Sequence, residues 1–84
     1  MVRITFKEKL RDKYDIRVYR IFMDVDSEKL QTKVRKAENV YPNGLVIKDF
    51  QSTDNGVNFI VKTTFESEDT KFIREFLEKI IKEL

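Results

Sequence analysis

Two aspartates, Asp24 and Asp26, are the residues of this chain whose types and spacing come closest to a reactive site. Side chains two positions apart on a strand point the same way, and paired carboxylates can bind a divalent metal or divide acid and base roles. This pair also stands directly before a predicted helix N-terminus, where a carboxylate is stabilised by the helix dipole. We therefore interpret both aspartates as structural.

Most other reactive side chains are missing from the 84 residues, which include neither cysteine nor histidine. Their absence excludes Cys-His and Ser-His-Asp nucleophiles, histidine acid-base chemistry and Cys/His zinc sites. The single glycines of "PNG" and "DNG" are typical of turns and not of a phosphate-binding loop. We predict that the chain by itself is not an enzyme, with no catalytic residue, no metal and no cofactor.

Basic residues are unevenly distributed although the net charge is only +2, because residues 3–20 carry seven basic side chains against three acidic ones. Basic surfaces interleaved with aromatic side chains bind nucleic acid through phosphate contacts and base stacking. The candidate nucleic-acid-binding residues are Arg11, Lys13, Arg17, Arg20, Lys29, Lys33, Arg35 and Lys36. The aromatic candidates beside the first four are Tyr14, Tyr19 and Phe22, for which packing in the core is the favoured alternative because no glycine-rich recognition motif accompanies them. A solvated polar surface is the alternative reading of each basic run.

The first half of the chain predicts two strands and a helix. Residues 2–6 and 16–25 alternate as half-buried strands do, and the apolar phase of the second shifts near Arg20, which predicts a bulge or a twist there. Ser27 is the expected N-cap of a helix that ends at "YPNG".

The second half predicts the same elements again. Residues 45–51 form a third strand, "STDNG" is typical of a tight hairpin, and residues 57–65 alternate as a fourth strand. Ser67 is expected to cap a final amphipathic helix with a broad apolar stripe. A shift of about forty residues aligns the two halves, which indicates either a duplication or a shared strand-cap-helix pattern.

The element order is therefore ββαββα in one domain, residues 1–84. This order predicts an α+β fold, an antiparallel sheet with both helices on one face, layered as in KH and ferredoxin-like domains. The other sheet face would then lie open. No apolar run is long enough to span a membrane and no signal peptide is visible, so we expect a cytoplasmic protein with no membrane partner.

From residue 16 onward the sequence resembles the CTAG/Pcc family, the small dimerisation subunits of the KEOPS complex, which makes threonylcarbamoyladenosine on tRNA. The similar stretches are "VDSEKLQTKVRKAENVYPNGLVIKDF" and "NFIVKTTFESEDTKFIREFLEKI". In them, residues 37–39 stand where that family has Pro-Asp-Asn, and Ile73-Arg74 stands for its Leu-Arg pair. Residues 1–15 add an extra strand, as a divergent paralogue of the dimerising subunit would.

The resemblance implies a non-catalytic assembly subunit, homodimeric or paired with a paralogue through the sheets. Its helices would dock a larger catalytic subunit, and tRNA would follow the basic surface. The predicted partner-binding residues are Phe72, Ile73, Arg74, Phe76, Leu77 and Ile80. The alternatives are a stand-alone small nucleic-acid-binding domain and an oligomeric regulatory module.

Overall fold

Four strands and two helices occur in the predicted order. The computed structural model describes residues 2–14, 16–37, 45–64 and 69–82. The elements are β1 (Ile4–Arg11), β2 (Arg17–Met23), α1 (Ser27–Lys36), β3 (Val46–Thr53), β4 (Gly56–Thr63) and α2 (Asp69–Ile81). The α+β class and the ββαββα order are thereby confirmed. The predicted helix end at "YPNG", the last residue of the predicted fourth strand, Phe65, and the predicted cap Ser67 fall outside the described residues.

The strands form one sheet in the order β1-β2-β4-β3, and every neighbouring pair is antiparallel. The two central strands, β2 and β4, are each followed by a helix. Arg20 lies opposite Ile60 in the β2–β4 ladder, and these are the positions that the forty-residue shift superimposes. The ββα halves therefore occupy matching places on either side of the sheet centre.

The core lies between the sheet and both helices. In β4 every second residue is buried, so alternation in the sequence decides which face of the strand meets the helices. Leu30 of α1 and Ile73 and Leu77 of α2 belong to the same apolar cluster as Ile21 and Phe59 of the sheet, so both helices cover one sheet face. Each fully buried aliphatic side chain contributes about 1.5–3 kcal/mol relative to an exposed one. Neither described helix has the length and apolarity needed to cross a lipid bilayer.

The first strand extends further than the sequence predicts, through Arg11 instead of ending at Phe6. Its second half, "KEKLR", is almost entirely exposed. An edge strand needs no apolar alternation where its side chains face solvent, and charges there discourage pairing with other chains. Five residues therefore separate the end of β1 at Arg11 from the start of β2 at Arg17.

A bulge, one of the two alternatives predicted near Arg20 in the second strand, lies instead in the neighbouring strand β1. The β1–β2 register shifts between Phe6 and Glu8, so Lys7 is the extra residue, whereas β2 pairs with β4 without a shift. The apolar phase changes along β2 because Val18 and Phe22 lie on the open face of the sheet. The apolar pattern near Arg20 therefore reflects which face of the sheet each side chain occupies, and not an irregular backbone.

A second bulge lies in β3, between Lys48 and Gln51. Asp49 there has a φ of 58°, a left-handed conformation that aspartate tolerates better than most residues. The adjacent Phe50 packs against the core, with its ring centroid 5.6 Å from that of Phe59. The bulge therefore turns one aromatic ring inward from an otherwise exposed edge strand.

Both aspartates at the start of α1 form structural hydrogen bonds. Asp24 Oδ1 accepts from the Arg3 amide at 2.6 Å, which holds the start of β1, and Asp26 Oδ1 accepts from the Lys29 amide at 3.0 Å. Asp26 is thus the N-cap, and the prediction that Ser27 caps the helix was wrong by one position. Serine and aspartate cap almost equally well, so residue type could not separate them. Ser27 is instead a buried helical residue whose Oγ accepts from Gln31.

We expect Asp26→Ala to lower the free energy of unfolding by about 1 kcal/mol, because an amide of the first helical turn loses its acceptor. Thermal denaturation followed by circular dichroism should show Tm lowered by about 4–8 °C. Asp26→Asn, which keeps an acceptor oxygen, is the matched control and should stay close to wild type. Equal Tm values for Asp26→Ala and wild type would contradict the capping role.

Candidate interaction surfaces

Three of the six predicted partner-binding residues lie in the core. Ile73, Leu77 and Ile80 are all at least 95% buried within this chain. They form the centre of the apolar stripe of α2, and the sheet covers them. Phe72 and Phe76 lie at the margin of the stripe, half-buried against the same core. Of the aromatic and aliphatic candidates, only these two phenylalanines therefore border the helix surface.

Arg74 connects α2 to the edge strand β1 through two contacts. Its Nη1 donates to the Ile4 carbonyl at 3.2 Å, and the guanidinium carbon lies 5.2 Å from the centroid of the Phe6 ring. That distance is within cation-π range. The Phe6 ring also meets Tyr19 edge-on, with centroids 5.8 Å apart. Arg74 thus has an internal role that the sequence pattern could not show, since Ile4 is 70 residues away.

The predicted nucleic-acid-binding residues of the first half lie in two places, the tip of the β1–β2 hairpin and the open face of the sheet. Arg11, Lys13 and Arg17 lie at the β1–β2 tip, where Tyr14 is 72% exposed and Lys13 Nζ lies 5.1 Å from its ring centroid. Arg20 lies on the open sheet face and bonds Glu8 through Nε at 2.7 Å. Both side chains of that pair are at least half exposed, so the bridge stabilises the fold by less than about 1 kcal/mol.

Tyr19 is not available for base stacking. It is only 6% exposed and belongs to the core. Core packing, the favoured alternative, therefore holds for Tyr19, which does not join Tyr14 and Phe22 in an exposed aromatic cluster. Adjacent residues of a strand face opposite sides, so Tyr19 points toward the helices while Arg20 points away from them.

The basic residues of α1 lie on the helix side of the sheet. Lys29, Arg35 and Lys36 are exposed and Lys33 is half-buried. The last three in sequence occupy the final turn, where cations stabilise the C-terminal end of the helix dipole. The structure thus does not bring the eight predicted basic residues into a single surface.

The open sheet face carries an exposed row of mostly apolar side chains. The strand register places four residues side by side across the sheet, here called the outer row: Leu10, Val18, Lys62 and Val46. Leu10 and Val46, on the two edge strands, are each 49% exposed. Both described helices lie on the other side of the sheet, so no described element covers this row.

Beside the outer row, the same face has a concavity of about 590 Å³ that crosses all four strands at the two bulges. Its lining residues, here called the polar concavity, are Lys7, Arg20, Ile21, Asp49, Phe50, Gln51, Asn58, Phe59 and Ile60. The Oδ1 atom of Asn58 is buried and has no hydrogen-bond partner among the described residues. A buried acceptor without a hydrogen bond lowers the free energy of unfolding by about 1–3 kcal/mol.

The sequence patterns do not predict this concavity. Its one local signal is Asn58, a poor strand former within the alternating segment "GVNFIVKT". The other polar lining residues come from three different strands, and Lys7 and Asp49 belong to bulges whose positions depend on strand pairing.

A smaller concavity of about 420 Å³ lies where the β3–β4 loop approaches the start of α1. Its acidic lining residues include Asp24, Asp26, Glu28 and Asp54. Among residues 2–14, 16–37, 45–64 and 69–82, no group of three or more carboxylates is placed to hold a metal ion. The first two acids are already engaged with backbone amides, which agrees with their structural interpretation.

Comparison of the chain with models of protein families, with curated proteins and with solved structures finds no match.

Proposed function

We propose that this protein is a non-catalytic assembly subunit that dimerises, with itself or with a paralogue, through the open face of its sheet. The larger assembly would be a KEOPS-like tRNA-modifying complex, as the resemblance of residues 16–84 to the CTAG/Pcc family implies. The observation that carries the dimerisation step is the outer row, where Leu10 and Val46 are exposed on a face that no described helix covers.

The chemistry of the outer row supports a protein partner. Two sheets pack face to face when apolar side chains of both interdigitate, and the row supplies three such side chains, Leu10, Val18 and Val46, in one line. Charged residues on the same face, among them Glu8, would orient the partner because opposite charges must meet. Burial of these side chains is the main favourable contribution to association.

The helix side of the protein would then remain free for the catalytic subunit. Phe72 and Phe76 border the outer surface of α2, beside exposed Glu75. The basic residues of the hairpin tip and of α1 are the proposed contacts to tRNA phosphates. Because α1 and the outer row are on opposite sides of the sheet, dimerisation would not cover the lysines of α1.

We expect Leu10→Glu and Val46→Glu each to weaken the dimer by roughly a hundredfold, because burying a carboxylate among apolar side chains costs about 3 kcal/mol or more. Light scattering coupled to size-exclusion chromatography, over a range of protein concentrations, measures the change. Both residues are half exposed in the single chain, so the fold should tolerate the substitutions.

Thr32→Glu is the matched control, since Thr32 is exposed on α1 and the same charge is added away from the sheet. This variant should dimerise like wild type. A wild-type protein that stays monomeric at high concentration would refute the proposed dimer. Dimers of unchanged affinity in both glutamate variants would instead place the interface on another surface.

A further inference from the structure

We propose that the polar concavity is a binding site for an adenine ribonucleotide. The base would donate a hydrogen bond to Asn58 Oδ1, and the phosphate would lie between Lys7 and Arg20. The site uses different residues from the outer row but lies beside it on the same open face, so a nucleotide and a chain packed on this face would compete for it.

The base-recognising group is Asn58. Its side chain lies on the open face of a central strand, opposite Phe22, and its buried Oδ1 has no partner in the described part of the chain. A carboxamide pairs with adenine by accepting from the N6 amino group and donating to N7. Because this oxygen is buried, the carboxamide would turn toward the concavity to accept from a bound base.

The phosphate-binding groups are two cations from neighbouring strands. Lys7 is the extra residue of the β1 bulge and is exposed at the edge of the concavity. Arg20 uses Nε to hold Glu8, and a guanidinium has four further N–H donors. The salt bridge therefore orients Arg20 beside the concavity without using all of its donors.

The remaining lining residues match the rest of a nucleotide. Ile60 provides apolar surface for the base, and the exposed carboxylate of Asp49 can accept from a ribose hydroxyl. The volume of about 590 Å³ lies within the range of small-ligand sites. Cations, a carboxylate and an unsatisfied amide within one concavity favour a ligand with both an anionic and a hydrogen-bond-donating end.

The test is calorimetric titration of the full chain at low salt with AMP, UMP, inorganic phosphate and hexaadenylate RNA. We expect AMP to bind more tightly than UMP or phosphate. A free nucleotide is the ligand if AMP and hexaadenylate bind equally. A nucleotide within single-stranded RNA is the ligand if hexaadenylate binds more tightly and its affinity falls steeply with salt. No heat and no NMR shift change with AMP or hexaadenylate at millimolar concentration would overturn the proposal.

Two variants test the assigned residues. Asn58→Leu should weaken AMP binding roughly tenfold or more, and should raise Tm by about 4 °C because the unsatisfied acceptor is gone. Lys7→Ala should weaken it roughly three- to fivefold, whereas Lys9→Ala, the same change on the same strand but outside the concavity, should have no effect. Unchanged AMP affinity in both Asn58→Leu and Lys7→Ala would refute the site.

Light scattering on the same samples separates this proposal from the proposed function. Asn58→Leu and Lys7→Ala should leave the oligomeric state unchanged, and Leu10→Glu should still bind AMP. A wild-type chain that stays monomeric yet binds AMP would refute only the assembly role. A wild-type chain that dimerises, while neither it nor monomeric Leu10→Glu binds AMP, would refute only the nucleotide site.

Discussion

Gly56→Val is expected to lower the free energy of unfolding by about 3 kcal/mol, because the position has no room for a side chain. A Cβ atom built on Gly56 would collide with the Met23 carbonyl oxygen and would lie 2.7 Å from Cζ of Phe22. The carbonyl is backbone of a central strand and cannot move aside without disturbing the sheet. Thermal denaturation should therefore show Tm lowered by roughly 12–24 °C, with Gly56→Ala between this value and wild type.

Asn55→Ala is the control for Gly56, since it changes the neighbouring residue of the same hairpin. Asn55 is exposed, and its Oδ1 accepts only a surface hydrogen bond from Thr53 Oγ1 at 3.2 Å. The effect of this control should stay within about 0.5 kcal/mol. A Gly56→Val protein with the Tm of wild type would show that β2 and β4 can separate at this point.

The reason for the glycine differs from the one that the sequence indicates. "STDNG" correctly predicts the β3–β4 hairpin, but the two loop residues are Asp54 and Asn55, and Gly56 is the first residue of β4. Its φ is outside the left-handed region. Gly56 is therefore required for close approach of two strands and not for turn geometry.

Leu77→Ala is expected to lower the free energy of unfolding by about 3 kcal/mol, through lost burial and the cavity left behind. Leu77 is fully buried at the centre of the α2 stripe. Urea denaturation, with Glu78→Ala as the exposed neighbouring control, measures the difference. A stability loss no larger than that of the control would mean that α2 is not packed as described.

A second substitution on α2 distinguishes a role in folding from a role in docking. Phe76→Ala, at the half-buried margin, should destabilise the chain less than Leu77→Ala. In a co-purification with the proposed catalytic partner, the proposed docking surface requires Phe76→Ala to reduce the recovered partner while the chain stays folded. Full recovery of the partner would remove Phe76 from the docking surface.

Much of the fold follows from local patterns in this chain. The alternation of β4 is fully reproduced in its burial, and α1 begins with a capping residue one position before the predicted one, Asp26 instead of Ser27. Absence of cysteine and histidine excludes whole classes of site without any structure. These properties depend on residue type and on neighbours a few positions apart, so they can be read from the sequence.

The sequence by itself thus determined the α+β class, the element order and the sheet face that meets the helices, because burial of apolar side chains acts through periods of two and 3.6 residues. Only the tertiary structure decided the strand order, the bulge at Lys7, the contact of Arg74 with Ile4 and the unsatisfied oxygen of Asn58. Each of these depends on which distant segments become neighbours. The candidate surfaces of this protein arise from that pairing, which no local pattern encodes.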